Sequence, residues 1–226
     1  MKSRLAGLPR AACSTVAWVL ISASCQVAGA GQPSTEGLWS LYQDHWRQVR
    51  SYSAAFSQKV SVPGMGAEIR SGGHFFFSRP DLMRWDYEDG KGQLVVGDGT
   101  WLWIYQPELE QVYRIDYQTA FGQAGLLALL SGDGGFRERY HLSASEKDQG
   151  TVALRLASRD ESGEIIDLVI SLDGFDLEAV VVTDPAGSIT STAFYDVALN
   201  EELDMDLFRF SPPSGVDVID QSSPGR

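Results

Sequence analysis

The sequence contains very little cysteine. Cys13 and Cys25 are its two cysteines among 226 residues, and both lie within the first 30. If a leader is removed after Ala30, the mature chain has none, which excludes disulfides and thiol catalysis. Packing alone must then hold the fold together.

The sequence also lacks the motifs of common catalytic and metal sites. It has no G-x-S-x-G, no H-E-x-x-H, no G-x-x-x-x-G-K and no G-x-G-x-x-G opening a helix. Its three histidines, His45, His74 and His141, are far apart, and none has a second His or Cys at metal-ligand spacing. Carboxylates such as Asp86 and Glu88 lie near turns, where they are usually solvated, and no acid–base pair stands out. The motifs therefore give no support to an enzyme or to a metal site.

Basic residues are few relative to acidic ones. The chain has 18 Lys and Arg against 30 Asp and Glu, a formal charge of −12, and loss of Lys2, Arg4 and Arg10 with a leader would make it −15. Nucleic acid and anionic membrane surfaces are unsuitable partners, because phosphate binding needs clustered Lys and Arg. The simplest consequence of the charge is solubility.

The first 30 residues have the pattern of a secretory signal peptide. Three basic residues precede an apolar run that is too short to span a bilayer, and Ala28-Gly29-Ala30 supplies small residues at the cleavage site. We predict that residues 1–30 are a cleaved signal peptide and that residues 31–226 form one domain with a short disordered tail. Cys25 leaves lipidation open as an alternative, because Ser22-Ala23-Ser24-Cys25 partly matches a lipoprotein cleavage box.

Most of the mature chain alternates apolar and polar residues between turns, which is typical of β-strands. Regular strand spacing predicts a mainly β domain with helices, in which an antiparallel meander curves into a half or nearly closed barrel. The glycine pair Gly72-Gly73 indicates a bulge or a sharp bend. The predicted strands are Ser51–Val60, Glu68–Ser78, Met83–Tyr87, Leu94–Val96, Trp101–Tyr105, Gln111–Asp116, Phe136–Ala144, Thr151–Ser158, Ile165–Leu172, Leu177–Thr183 and Ser188–Leu199.

Two segments have helical patterns, and a brief helical turn is predicted near Glu201–Asp206. After a cap at Ser34 or Thr35, an amphipathic helix carries one apolar stripe. Gly122–Ser131 is apolar on most of its circumference, which favours either a buried core helix or a movable plug in the mouth of the sheet. The first stripe contains Leu38, Leu41, Tyr42, His45, Trp46 and Val49, and the second helix contains Leu126, Leu127, Leu129 and Leu130.

The stretch from Ser71 to Gln106 carries more aromatic surface than a one-sided core requires. We therefore predict a lid, a partner or an apolar ligand on one face of its strands. Trp101, Trp103 and Tyr105 occupy the opposite parity, so the pattern leaves open which face points inward. The candidates for the cavity that such an apolar ligand would occupy are Phe56, Phe75, Phe77, Trp85, Tyr87, Leu102 and Ile104.

Several motifs resemble one family in their order and spacing. F-x-Q-K at Phe56–Lys59, FFFSRPDLMRWDY at Phe75–Tyr87 and LVVGDGTWLWIYQPELEQV at Leu94–Val112 are similar to the periplasmic outer-membrane lipoprotein carriers of the LolA family. AGLLALLSG and FRFSPPSGVDVI extend the resemblance, which runs from about Leu38 to Ile219. It implies an unclosed antiparallel β-barrel of eleven strands, with a hydrophobic cavity covered by a helical lid.

The resemblance also implies a function. Family members are monomeric periplasmic chaperones that take acylated lipoproteins from an inner-membrane ABC transporter to an outer-membrane receptor, without a cofactor or covalent chemistry. Arg79 corresponds to the arginine that latches the lid closed by hydrogen bonds, and Met83 occupies the position of a residue that assists transfer to the partner. The lid residues are then Leu38, Leu41, Leu126, Leu127, Leu129 and Leu130.

Three alternatives remain open. The outer-membrane receptor of the same fold would require lipidation of Cys25. A periplasmic scaffold could sense lipid or polypeptide with the same curved sheet. A secreted sugar-binding or hydrolytic β protein could use Trp85, Trp101 and Trp103 as stacking platforms.

Overall fold

A computed structural model describes residues 33–88, 90, 92–121, 136–148, 150–160 and 163–221. The predicted signal peptide, the predicted helix Gly122–Ser131 with its four leucines, and the last five residues of the tail lie outside this description. The described segments form one twelve-stranded sheet with helices.

The bounds of the described elements are as follows. The helices are α1 (Thr35–Gln48), α2 (Tyr117–Phe121) and α3 (Phe136–Arg139), and 3-10 turns cover Pro107–Leu109 and Met205–Phe208. The strands are β1 (Ser51–Ser61), β2 (Glu68–Ser78), β3 (Leu82–Tyr87), β4 (Leu94–Asp98), β5 (Trp101–Gln106), β6 (Gln111–Asp116), β7 (Tyr140–Glu146), β8 (Thr151–Ser158), β9 (Ile165–Ser171), β10 (Leu177–Thr183), β11 (Ile189–Leu199) and β12 (Asp217–Asp220).

The sheet consists of two meanders joined at one ladder. Its order is β12-β6-β5-β4-β3-β2-β1-β11-β10-β9-β8-β7, so β1 to β6 form one meander, β7 to β11 form the other, and β1 pairs with β11. Neighbours are antiparallel except β12, which runs parallel to β6. Among the described residues β7 and β12 do not pair, so the sheet is unclosed. The predicted mainly β, unclosed and largely antiparallel sheet is confirmed, with a twelfth, parallel strand added to the eleven expected.

The sheet curves strongly around its core. Trp85 on β3 and Phe194 on β11 are three strand spacings apart, which in a flat sheet is about 14 Å. Their ring centroids are 6.1 Å apart. Rings from distant strands meet because the sheet bends toward the side on which they lie, and side chains from both meanders and from α1 share one buried cluster.

Helix α1 begins at the predicted cap. The Ser34 hydroxyl accepts a hydrogen bond from the backbone N–H of Gly37 at 3.2 Å, which satisfies one of the free donors of the first turn. The predicted stripe is shifted, however, because Leu41 is 43% exposed while Trp39 is 3% exposed. At 100° per residue, Leu38, Tyr42 and Trp46 centre the buried face, and Leu41 lies on its flank.

Several local predictions need correction. Phe136–Ala144 begins as the short helix α3 and becomes a strand at Tyr140. Helix α2 was not predicted, although the Asp116 carboxylate accepts from the Thr119 N–H at 2.9 Å, which is a local helix-start signal. The second 3-10 turn starts at Met205 rather than at Glu201, because Asp204 caps it. Strand β12 was missed.

A further correction concerns Gly72 and Gly73. The register between β1 and β2 runs through this pair without a shift, so there is no bulge. Gly73 instead permits a close approach, since a Cβ there would lie 1.8 Å from the carbonyl oxygen of Asp86. It faces Phe56 on β1 and Tyr87 on β3, and its missing side chain allows the close approach of the β3 backbone at Asp86 and Tyr87.

Candidate functional site

The concave side of the sheet carries a continuous layer of aromatic and aliphatic side chains. Cross-strand register places Phe75, Trp85 and Ile104 on one face, because β2 to β5 pair them directly or through Val95. All seven cavity candidates lie on this side of the sheet, and we name this side the inner face. Its candidate residues are Phe56, Phe75, Phe77, Trp85, Tyr87, Leu102 and Ile104. Phe56, Phe75 and Phe77 are fully buried, whereas Trp85, Tyr87 and Ile104 keep part of their surface exposed.

The rings of the inner face contact one another closely. The Phe56 ring stands edge-on to Trp85, with centroids 4.9 Å apart, and to Tyr87 at 5.2 Å. Phe75 lies 4.3 Å from Trp85 and 5.8 Å from Phe194. Such pairs contribute about 0.5–1.5 kcal/mol beyond the burial of their area. The layer is therefore a continuous apolar surface, which other parts of the protein cover completely at Phe56, Phe75 and Phe77.

Helix α1 covers one end of this surface. Tyr42 and Trp46 of the helix extend the row of rings to Tyr52 on β1. The ring centroids of Tyr42 and Trp46 are 5.9 Å apart, and those of Trp46 and Tyr52 are 5.6 Å apart. Tyr52 in turn contacts Phe75 at 5.8 Å. The helix therefore packs its buried face on the same apolar layer that an apolar ligand would use.

Arg79 joins the β2–β3 turn to the end of α1. Its Nε donates to the carbonyl of Val49 at 2.6 Å and its Nη2 donates to the carbonyl of Trp46 at 2.5 Å, while its backbone N–H donates to the carbonyl of Arg50 at 2.9 Å. The last carbonyls of a helix lack partners within the helix, and a cation also suits the negative end of its dipole. Partial burial lowers the pKa of the Arg79 guanidinium from its ordinary high value.

Met83, predicted to contact a partner, lies inside the structure. It is 4% exposed and faces Phe77 on β2 and Gly97 on β4. A Cβ at Gly97 would lie 3.0 Å from Met83 Cγ and 2.8 Å from the Tyr117 ring, so this glycine makes room for both side chains. Direct contact of Met83 with a partner would require Tyr117 and α2 to move, and its role stays a prediction.

The convex side carries a second apolar cluster that the sequence pattern did not reveal. The C-terminal segment Asn200–Asp220 crosses β3 to β6, and Phe210 packs on Trp103 and Tyr105 with centroids 5.7 and 5.9 Å apart. Beneath it Val96, Val112 and Phe208 are at most 2% exposed. The spacing of Phe208 and Phe210 was the one feature of the sequence that could have indicated this cluster. In the structure Phe208 lies in the interior of the cluster and Phe210 lies half-buried at its edge.

The tryptophans do not form a common stacking platform. Trp85 belongs to the inner face, while Trp101 lies under the Arg114 guanidinium, 4.6 Å from its ring centroid, on the convex side. Trp103 donates its Nε1–H to the Asp98 carboxylate at 2.8 Å. Because the three rings point to opposite sides of the sheet, the geometry does not support the sugar-binding alternative.

Three buried polar groups lie where α1 meets the sheet. We name the hydroxyls of Tyr42 and Tyr52 and the indole N–H of Trp46 the donor cluster; their side chains are at most 1% exposed, and no described residue hydrogen-bonds these atoms. Burial, aided by Tyr52, raises the pKa of Tyr42, and burial together with the Asp176 charge raises the pKa of Tyr52. Asp176 itself lies 3.3 Å from Nε2 of His45.

Other site types find no support in the described segments. They contain no group of three or more His, Cys, Asp or Glu side chains arranged to hold a metal ion. None of their helices combines the length and apolar character required to cross a bilayer. Of the predicted lid residues, Leu38 is buried, Leu41 is exposed, and the four leucines of the second helix lie outside the described residues.

Comparison with known proteins identifies the family. The family model described as outer membrane lipoprotein carrier protein LolA matches residues 47–211. The chain belongs to the LolA family. The match contains Arg79 and the whole inner face, and it begins at the end of α1.

Individual LolA-family relatives cover most of the chain. An outer-membrane lipoprotein carrier protein from Methylococcus capsulatus is 33% identical over 172 residues, which is 76% of this chain and 82% of the relative. Another from Methylibium petroleiphilum is 32% identical over 203 residues, 90% of this chain and 98% of the relative. An uncharacterized conserved protein from Thermus thermophilus has a similar fold, with a TM-score of 0.51, 12% identity, and coverage of 82% of this chain and 98% of that chain.

Proposed function

We propose that this chain is a periplasmic chaperone that binds the acyl chains of lipoproteins released from the inner membrane and delivers them to an outer-membrane receptor. Its partners are the acylated lipoprotein, the inner-membrane ABC transporter that releases it, and the receptor. It works as an exported monomer, without a cofactor and without covalent chemistry. The names of its relatives support lipoprotein carriage. The transporter, the receptor and the periplasmic location are part of the proposal.

The observation that carries the proposal is a helix that packs over an aromatic layer and whose last carbonyls accept hydrogen bonds from Arg79. Helix α1 packs Tyr42 and Trp46 on the ring row of the sheet, and Arg79 fastens the last carbonyls of that helix to the β2–β3 turn. Arginine side chains also bond the last carbonyls of helices in ordinary cores. Hydrogen bonds confined to one end of the helix nevertheless suit a cover that opens for a ligand and closes again.

The energetics of the task require such a surface. An acyl chain of about 15 methylenes loses roughly 0.8 kcal/mol for each one exposed to water, or about 12 kcal/mol per chain. A lipoprotein therefore cannot cross an aqueous compartment unless its chains remain shielded. The inner face offers phenylalanine, tryptophan and tyrosine rings for this purpose, and α1 competes with the chains for them, which keeps uptake reversible.

Native mass spectrometry of the periplasmic protein tests the proposal. The protein is mixed with a triacylated lipoprotein released from membranes, and the same lipoprotein without its acyl chains is the control. We expect a soluble one-to-one complex with the acylated form alone. A complex with both forms would favour the polypeptide-sensing scaffold, and recovery of the protein on membranes through a diacylated Cys25 would favour the receptor.

A further inference from the structure

The donor cluster of Tyr42, Trp46 and Tyr52 has no role in a cavity that binds only hydrocarbon. We propose that it binds the carbonyl oxygens through which the acyl chains are linked to the rest of the ligand. This inference rests on the proposed function and specifies which part of the acylated ligand is recognised. It makes the protein selective for ester- or amide-linked chains over plain alkyl chains.

The chemistry of the three groups points to an acceptor. A buried donor without a partner destabilises a fold, and buried polar groups in proteins are nearly always hydrogen-bonded. Phenylalanine would fill the space of either tyrosine without this penalty. The indole N–H of Trp46 can only donate, so the group it complements must accept. Hydrocarbon has no acceptor, whereas each acyl chain carries a carbonyl at its point of attachment.

The position of the cluster suits the head of such a ligand. Tyr42 and Trp46 lie on the covering helix, and Tyr52 is the first inward residue after it on β1. The Tyr52 ring then contacts Phe75 and Phe194, each with centroids 5.8 Å apart. Carbonyls at the donor cluster would therefore place the chains along the inner face, with the polar linkage at the edge where α1 covers the sheet.

Nearby charge favours a neutral carbonyl over a carboxylate. The Asp176 side chain is close enough to Tyr52 for its charge to contribute to the raised pKa of that phenol. Phenols are protonated at neutral pH, so each hydroxyl retains a hydrogen to donate. A free fatty acid anion would be repelled by Asp176, although His45 at 3.3 Å offsets that charge when protonated. An ester carbonyl is accepted without this repulsion.

The test compares two synthetic lipopeptides of identical peptide sequence. One carries two ester-linked palmitoyl chains, and the other carries two ether-linked hexadecyl chains, which have weaker acceptors and no carbonyl. Their affinities are measured by displacement of a fluorescent apolar probe from the mature protein and from the Tyr42→Phe/Tyr52→Phe variant. Tyr195→Phe is the matched control, since Tyr195 is 50% exposed on the convex side of β11.

We expect each hydroxyl to contribute about fivefold to affinity for the ester lipopeptide, so that the double variant loses roughly 25-fold. Its affinity for the ether lipopeptide and its resistance to urea should not fall, and Tyr195→Phe should behave as wild type with both ligands. Equal affinities of wild type and double variant for the ester lipopeptide would overturn the inference. So would equal losses for both ligands with reduced stability, because the hydroxyls would then serve the fold through water or each other. If wild type bound neither lipopeptide, the proposed function itself would fail.

Discussion

Replacement of Arg79 by leucine tests the coupling between the latch and ligand exchange. Leucine keeps the aliphatic stem of the side chain and removes the donors to the carbonyls of Trp46 and Val49. The backbone N–H of residue 79 and its bond to Arg50 are retained. The sheet should therefore fold normally, while the end of α1 loses its fastening.

The expected size of the effect follows from these two bonds. Hydrogen bonds to charged groups contribute about 1.5–3 kcal/mol each, and the lower value applies because Arg79 is only half-buried. Two such bonds give at most about 3 kcal/mol, which would increase the population of undocked α1 by up to about 150-fold. A ligand that competes with α1 for the inner face gains up to the same factor in affinity, and its release slows accordingly.

Two measurements follow this change. Hydrogen exchange of the α1 backbone amides should quicken in Arg79→Leu, and transfer of bound lipoprotein to acceptor outer-membrane vesicles should fail although binding persists. Arg79→Lys keeps the charge but not the forked geometry, so it should be intermediate. Arg70→Leu is the control, because Arg70 is exposed on β2 and pairs with Glu68. Normal transfer by Arg79→Leu, with α1 protected as in wild type, would refute the latch.

Three further changes have defined outcomes. Phe56→Ala removes a fully buried ring from contact with Trp85 and Tyr87 and should lower the free energy of unfolding by about 3–5 kcal/mol in urea titrations, together with affinity for acylated peptide. Gly73→Ala places a methyl group against a backbone carbonyl and should cost about 3 kcal/mol or more, well beyond Gly64→Ala, where nothing lies within 4 Å and only the positive φ of +80° opposes the change. A smaller loss for Gly73→Ala than for Gly64→Ala would contradict this account of the β2–β3 packing. The backbone N–H of Ser188 lowers the pKa of Asp184, so this carboxylate stabilises the fold above its ordinary pKa and the contribution is lost as pH falls through the lowered value. Asp184→Asn should therefore reduce the melting temperature at neutral pH and converge with wild type in acid; a constant difference across that range would exclude the ionised carboxylate as the cause.

Local patterning predicted most of the sheet. The bounds of Glu68–Ser78, Gln111–Asp116, Thr151–Ser158 and Leu177–Thr183 agree with the structure, because Gly, Pro and Asp mark the intervening turns. Strand β12 was not predictable in this way. Its four residues pair with β6 in parallel, and such pairing depends on contacts between segments about 100 residues apart rather than on a local turn.

It was harder to predict which side of each strand points inward and which residues contact distant parts of the chain. On β5 both parities are apolar, with Leu102 and Ile104 on one side and Trp101 and Trp103 on the other, so alternation alone cannot choose the inner face. The structure decides because the C-terminal segment covers the second side. Arg79 without the family resemblance would be interpreted as a solvated turn residue, since its acceptors belong to a helix end 30 or more positions earlier.

The ladder between β1 and β11 determines when this protein can acquire its structure. It pairs Tyr52 with Leu199 and Phe56 with Phe194, whereas each meander on either side is built from consecutive hairpins. The meanders can form early, but the contact that unites them must await the final part of the chain, and closing so long a loop is slow. A chain with this topology therefore cannot unite its two meanders before its C-terminal strands are available, which is compatible with the export proposed above.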